Sequence, residues 1–304
     1  MAVTSSRHLG LDLGGTLLKW AVVESTGEAW DRLATGRVPT RVDAGAEGIV
    51  AQLSETASAA LADWGPLASV GVGVPGRYDA AEGRVLLTPN IPVEWAGTRV
   101  VDRLEPVVRV PVHLVNDARA FTLAEFRLGA GRGAKTLVGM TLGTGVGGGL
   151  VIRGSLYLGH DGAAGEIGHQ TIDPDGPLCN CGNRGCVEAF ARADVIAATC
   201  GVSSVEDAVR AATNGDARAL DGLAQVGRYL GIGIANVVTV LTPDRVVVGG
   251  GVAAAGELLF RSIRAEVDRR VRLAGSVPVE VVPAELGTWA GSIGAAIHGA
   301  TAGG

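Results

Sequence analysis

The chain is poor in the residues that disulfide-built, membrane-inserted and nucleic-acid-binding proteins depend on, and each shortage removes a class of function. It has four cysteines in 304 residues, three of them crowded into residues 179–186. That is no disulfide framework, and it fits a protein kept in the reducing cytoplasm. Lysine and arginine total 26 against 31 aspartates and glutamates, a formal net charge of −5. Surfaces that grip nucleic acid are ordinarily strongly basic, so no nucleic-acid partner is expected. No segment is expected to have the ~20 consecutive, predominantly apolar residues of a membrane span. The N-terminal segment Met1-Ala2-Val3-Thr4-Ser5-Ser6-Arg7-His8 lacks the apolar stretch of a signal peptide. A phosphate loop of the form G-x-x-x-x-G-K-[ST] is also missing. What remains is a chain 47% hydrophobic and 19% charged, a globular composition with length enough for two domains of roughly 100–200 residues.

Glycine, by contrast, is abundant, with 47 residues clustered beside apolar runs, which suggests backbone that approaches a ligand closely. One arrangement occurs twice. Residues 8–16, ending Asp12-Leu13-Gly14-Gly15-Thr16, lead into the apolar residues 17–23; residues 137–145, ending Gly143-Thr144-Gly145, lead into residues 146–152. Each reads as strand, Gly/Thr turn and returning strand. A repeat half a chain apart predicts two related α/β lobes, each opening with a hairpin that faces a shared cleft. Further strands are expected at 69–74, 110–115 and 246–248, and helices at 46–64, 118–128, 191–200, 220–241 and 258–272. Short strands alternating with helices indicate an α/β fold. The small-residue segment Ala290-Gly291-Ser292-Ile293-Gly294-Ala295-Ala296 reads as a helix able to pack very closely, returning to the N-terminal lobe.

The glycine turns can carry chemistry. Amides free of side-chain bulk wrap anionic oxygens, so Gly14, Gly15 and Thr16, Gly143, Thr144 and Gly145, and the run Gly249, Gly250 and Gly251 are candidate nucleotide-phosphate contacts. Asp12, just before the first turn, is placed to hold Mg²⁺. Asn116-Asp117 ends an apolar strand and opens a helix. It is either a helix N-cap or a carboxylate at the C-terminal end of a strand, where α/β sheets bind ligands. Gly76 and Asn90 are plausible polar contacts of the same region.

A metal centre is expected around Cys179, Cys181 and Cys186. Zinc needs four soft or borderline donors at one tetrahedral point, and Cys-x-Cys with a later Cys and a nearby His supplies them. His169 is favoured over Cys200 as the fourth ligand. Metal on one imidazole nitrogen would leave the other an N–H donor, aimed at a substrate hydroxyl beside Glu166. Glu166 and Glu188 flank the cluster, so the metal would hold acidic residues in place.

Together the Asp12–Thr16 turn, Val115-Asn116-Asp117-Ala118, Gly143–Gly149, Ala164-Gly165-Glu166-Ile167-Gly168-His169, the run from Cys179 to Glu188 and Gly249-Gly250-Gly251 resemble the ROK family of sugar kinases and repressors, over nearly the whole chain. Leu17 stands where that family often has lysine, with Lys19 two residues on, and Val115 where glutamate is frequent. The resemblance implies a two-lobed actin-like ATPase (ribonuclease H-like) fold with a zinc knuckle in the larger lobe. The small lobe would span 1–117, completed by a C-terminal helix at 289–304, and the large lobe 118–288. It also implies ATP- and Mg²⁺-dependent phosphorylation of a hexose, glucose to glucose 6-phosphate first. N-acetylmannosamine, N-acetylglucosamine, fructose and allose are alternative acceptors, and a sugar-sensing regulator is the alternative function. The implied roles are Asp117 as general base and Gly76, Asn90, Asn116, Glu166, His169 and Glu188 as sugar contacts. Asp12, Lys19 and the glycine turns would serve the nucleotide, and His169 with the three cysteines the structural zinc. The resemblance also implies a homodimer or homotetramer.

Overall fold

The structure, a computed structural model, describes residues 5–88, 91, 94–273 and 278–302. The elements run β1 (Ser5–Leu13), β2 (Leu17–Thr26), β3 (Ala29–Pro39), α1 (Gly45–Trp64), β4 (Ser69–Val74), β5 (Arg77–Asp79), β6 (Arg84–Leu87), α2 (Val100–Val108), β7 (Val112–Asn116) and α3 (Asp117–Leu128). They continue with β8 (Thr136–Leu142), β9 (Val146–Ile152), β10 (Ser155–Leu156), α4 (Val187–Ala191), α5 (Ala193–Cys200), α6 (Val205–Thr213), α7 (Ala217–Leu241), β11 (Arg245–Gly249), α8 (Glu257–Arg270), β12 (Glu280–Pro283) and α9 (Ala290–Thr301).

The chain forms two compact units. One takes the residues up to Gly129, Leu158–Ala164 and the residues from Thr288 on; the other takes Ala130–Tyr157 and Gly165–Gly287. Each holds a mixed five-stranded sheet, ordered β3-β2-β1-β4-β7 in the first and β10-β9-β8-β11-β12 in the second. The pairings correspond strand for strand: two antiparallel partners built from a hairpin, then two parallel strands. The repeated hairpin of the sequence is thus the visible part of a repeated sheet.

In the first unit, β4 alternates valine with glycine for a packing reason. Val70, Val72 and Val74 enter the core with Leu9, Leu11, Ile49 and Leu53, each worth ~1.5–3 kcal/mol of burial. On the other face lies α9, and a Cβ on Gly71 would overlap the Ala295 carbonyl, as one on Gly10 would overlap that of Ser292. Gly294 of α9 in turn has no room for a Cβ against the Ala120 carbonyl of α3. These glycines serve helix-on-sheet and helix-on-helix contact, not the ligand approach expected of the glycine clusters. They also move the expected boundary at 117: α3 packs on α9 and stays with the first unit to Gly129.

In the second unit, α7 is long and apolar enough to cross a membrane by length and composition alone, where no segment with the apolar residues of a span was expected. Its Leu223, Val226, Leu230, Ile234 and Val238 are buried in the core with Val138, Met140 and Val246, so its apolar face is occupied within the fold. The helix expected at 191–200 is broken at Arg192, where the backbone is extended (φ −73°, ψ 156°), into α4 and α5. The outer strand β12 has a guarded edge. Arg264 Nε donates to the Val281 carbonyl at 2.9 Å, and Pro283 has no N–H to offer a neighbour.

Candidate active site and metal centre

In the first unit the Gly14-Gly15-Thr16 turn joins β1 to β2 and is closed by Gly14 N–H donating to the Leu17 carbonyl at 3.0 Å. Thr40, which carried no signal in the sequence, supports it twice. Its hydroxyl donates to the Gly14 carbonyl at 2.7 Å and its N–H to the Thr16 carbonyl at 2.9 Å. Asp12 lies opposite Lys19 in the β1–β2 register, and the two side chains form an ion pair at 3.7 Å. Burial pushes the Asp12 carboxyl up, and Lys19 draws it back down. A C-terminal glycine completes the surroundings, since a Cβ on Gly291 would overlap the Asp12 carboxylate.

The strand-to-helix junction separates two roles that the sequence left merged. Asn116 is the N-cap of α3: its side-chain oxygen accepts from Ala118 N–H at 3.0 Å and Arg119 N–H at 3.2 Å. Its amide donates to the Gly76 carbonyl at 3.1 Å, where Gly76 sits at φ +82°. Capping therefore belongs to Asn116. Asp117, half-buried in the first turn, accepts the Ala118 N–H on Oδ1 at 2.8 Å. Two of the four orphan amides of the helix end are thus engaged by Asn116. Asn90 lies outside the described residues.

In the second unit the Gly143-Thr144-Gly145 turn has Gly143 N–H donating to the Gly145 carbonyl at 2.9 Å, and Ala193 N–H binds the Gly143 carbonyl at 2.9 Å. Glu188 reaches the same turn. Its Oε2 accepts from Val146 N–H at 2.9 Å, and its Oε1 lies 3.5 Å from Cys179 Sγ. Glu188 thus joins the turn to the cysteine cluster, a contact that a reading of Glu188 as a sugar ligand did not contain. Gly250, at φ +92°, presses on the Leu142 backbone, while Gly251 faces open space. After Gly250 the chain enters the short 3₁₀ segment Gly251–Ala255, not a full helix, so any helix-dipole contribution there is small.

His169, Cys179, Cys181 and Cys186 offer ligand atoms all within 4.8 Å of one another, the group of this kind found among the described residues. The turn that gathers them is closed by Cys179 N–H to the Asn183 carbonyl at 2.8 Å and Gly182 N–H to the Cys179 carbonyl at 3.0 Å. Gly182 and Gly185 both have positive φ, +92° and +64°, conformations that residues with a Cβ seldom adopt. Burial, then the neighbouring thiols, push the Cys179 thiol up to about 12. Thiols crowded in this way are what a bound cation relieves, and three sulfurs with one imidazole match a tetrahedral zinc set. Cys200 is elsewhere, its thiol against the Ala219 carbonyl at 3.7 Å. The imidazole is two-sided: Nδ1 is 3.7 Å from Cys179 Sγ and Nε2 is 4.0 Å from the Glu166 carboxylate.

The ROK family profile matches residues 8–300. A glucokinase from Thermotoga maritima is 35% identical, over 95% of each chain. A ROK hexokinase from Thermus thermophilus superposes with a TM-score of 0.86 at 35% identity, covering 97% of this chain and 98% of its own. A ROK glucokinase from Streptomyces griseus, solved in complex with glucose and AMPPNP, gives 0.79 at 33% identity, covering 97% and 99%. With the glycine turns, the Asn116-Asp117 junction and the cysteine cluster all falling inside the matched span, the chain belongs to the ROK family.

Proposed function

We propose that the protein transfers the γ-phosphoryl group of ATP to a hexose hydroxyl, with glucose the first acceptor and O6 the position modified. The observation that carries this reading is the placement of the Asp117 carboxylate in the first turn of α3, directly after β7, next to a cap that Asn116 supplies. The glucokinase from Thermotoga maritima and the glucose- and AMPPNP-bound Streptomyces griseus enzyme support it. The corresponding sheets of the two units, headed by Gly/Thr hairpins, support the actin-like form of the fold.

Phosphoryl transfer through a loose transition state asks little covalent chemistry of the protein, so positioning and electrostatics dominate. Asp117 would orient the sugar hydroxyl and take its proton as the bond to phosphorus forms. Glu166, His169 and Glu188 would accept from or donate to sugar hydroxyls, with His169 Nε2 held as donor if Nδ1 is turned to a metal. Amides of the two Gly/Thr turns would meet phosphate oxygens. Mg²⁺ with the nucleotide would neutralise phosphate charge. Asp12 fits an indirect hold on it better than a direct one, because Lys19 already stands at 3.7 Å. Zinc on His169, Cys179, Cys181 and Cys186 would supply a fixed point from which Glu166 and Glu188 are held. Assembly as a homodimer or homotetramer in the cytoplasm belongs to the same proposal.

The test is an ADP-release assay with ATP and Mg²⁺ over glucose, N-acetylmannosamine, N-acetylglucosamine, fructose, mannose and allose, with polyphosphate as a second donor. Glucose-dependent ADP formation with glucose 6-phosphate as product is expected. Sugar binding without ADP release from any of them would overturn the reading in favour of a sugar sensor.

A further inference from the structure

Arg119 is in an unfavourable place for an arginine. It is the third residue of α3 and 2% exposed, yet the N-terminal turn of a helix carries positive partial charge that disfavours a cation. Arginine is also rarely buried without a partner that repays its desolvation. One such partner is a main-chain carbonyl: Nε donates to Ala164 O at 2.9 Å, across 45 residues of sequence.

Ala164 closes an unusual segment. Leu158–Ala164 belongs to the first unit, although the residues on both sides of it belong to the second. The segment is a closed loop, with Ala164 N–H on the Leu158 carbonyl at 3.1 Å and Ala163 N–H on Asp161 Oδ1 at 3.3 Å. Another tie to the first unit is the Arg77–Asp161 ion pair at 3.1 Å, whose side chains are 55% and 57% exposed, and such pairs hold weakly. Of the two, the bond from Arg119 is the firm one. Beyond Ala164 comes Gly165, at φ +97°, and then Glu166, whose backbone carbonyl accepts the His169 N–H at 3.1 Å.

We infer that Arg119 is a positioning residue for sugar recognition, fixing through the Ala164 carbonyl the point from which Gly165 presents Glu166 and His169. This rests on the hexose-kinase reading for its consequence but not for its geometry. The helix whose first residue is the proposed base would thus hold the loop that ends immediately before Gly165.

The experiment compares the full-length protein with Arg119→Met, Arg119→Lys and Asp161→Asn, by steady-state kinetics and by hydrogen–deuterium exchange over residues 158–166. Arg119→Met keeps the aliphatic stem and removes the donor; it should raise the hexose KM about tenfold while the ATP KM stays within about twofold. Arg119→Lys should recover part of that loss, and Asp161→Asn, at an exposed site that does not threaten folding, should raise the hexose KM about two- to threefold. Exchange at 158–166 should quicken in all three, most in Arg119→Met. Unchanged exchange in that segment overturns the inference whether or not the protein turns over sugar. So does an equal rise of both KM values, or a lysine variant no better than methionine. A wild-type protein inactive on every hexose removes the kinase reading instead, and leaves the exchange result to decide the positioning role.

Discussion

At the scale of single residues, the junction at Asn116 and Asp117 was legible as a pair of alternatives, and the hydrogen bonds assign the cap to Asn116. Asn116 satisfies the helix amides, so Asp117→Asn removes no cap. It should leave the melting temperature nearly unchanged while kcat falls by on the order of 10²–10⁴, measured by ADP release at saturating glucose and ATP. Glu188 is tied to Val146 N–H and to Cys179. Glu188→Gln is therefore expected to raise the KM of ATP as well as that of the sugar, by about tenfold for each, read from the two saturation curves. Motif spacing made the cysteines, His169, Glu166 and the glycine turns legible. Thr40 and Arg119 were not, because each acts on a main-chain carbonyl 26 or 45 residues away, a relation no local pattern encodes.

At the scale of elements, the hairpins and the long helices were legible because apolar periodicity over ten or more residues is a strong signal. Short α2 and α6 and the four-residue β12 went unread; their identity comes from what they pack on. The glycines were legible as special but not in purpose. In β4, Gly71 makes room for α9, so Gly71→Ala, which would drive a methyl into the Ala295 carbonyl, should cost about 3 kcal/mol or more. Gly251→Ala, with open space around it, should stay within about 0.5 kcal/mol; urea midpoints compare the two. On α8, hydrogen bonds and charge from Arg269, then Arg270, hold the buried Glu266 carboxyl down at about 2, below its ordinary 4.5. A carboxyl lowered in the folded state stabilises fully above the unfolded value, and that support is lost as pH falls through 4.5 toward 2. Glu266→Gln should therefore cost about 1 kcal/mol at pH 7, and the gap to wild type should close across that window, as followed by melting temperature against pH.

At the scale of the whole molecule, duplication was legible from the twin hairpins, and the matching sheet orders extend it to five strands in each unit. The reach of the first unit past residue 117 was not, because it depends on a helix-to-helix contact between α3 and α9. If the cysteine cluster holds zinc, Cys181→Ser should lower bound metal, measured by elemental mass spectrometry, and the loss of glucose affinity should follow metal content in step. Metal-depleted protein with an unaltered glucose KM would show that Glu166 and Glu188 stand without it.

The seating of α9 on Gly10 and Gly71 has a consequence for biosynthesis. The first unit is begun on the ribosome before the second and finished after it, since the segment that seals its sheet is translated later than Gly287. The second unit can fold while its predecessor still waits, with an unroofed glycine-lined furrow, for the tail to emerge. Trimming the chain from Ala290 onward should leave the Gly10 and Gly71 face uncovered, read as a soluble yield that depends on added chaperones and as faster proteolysis than the full chain.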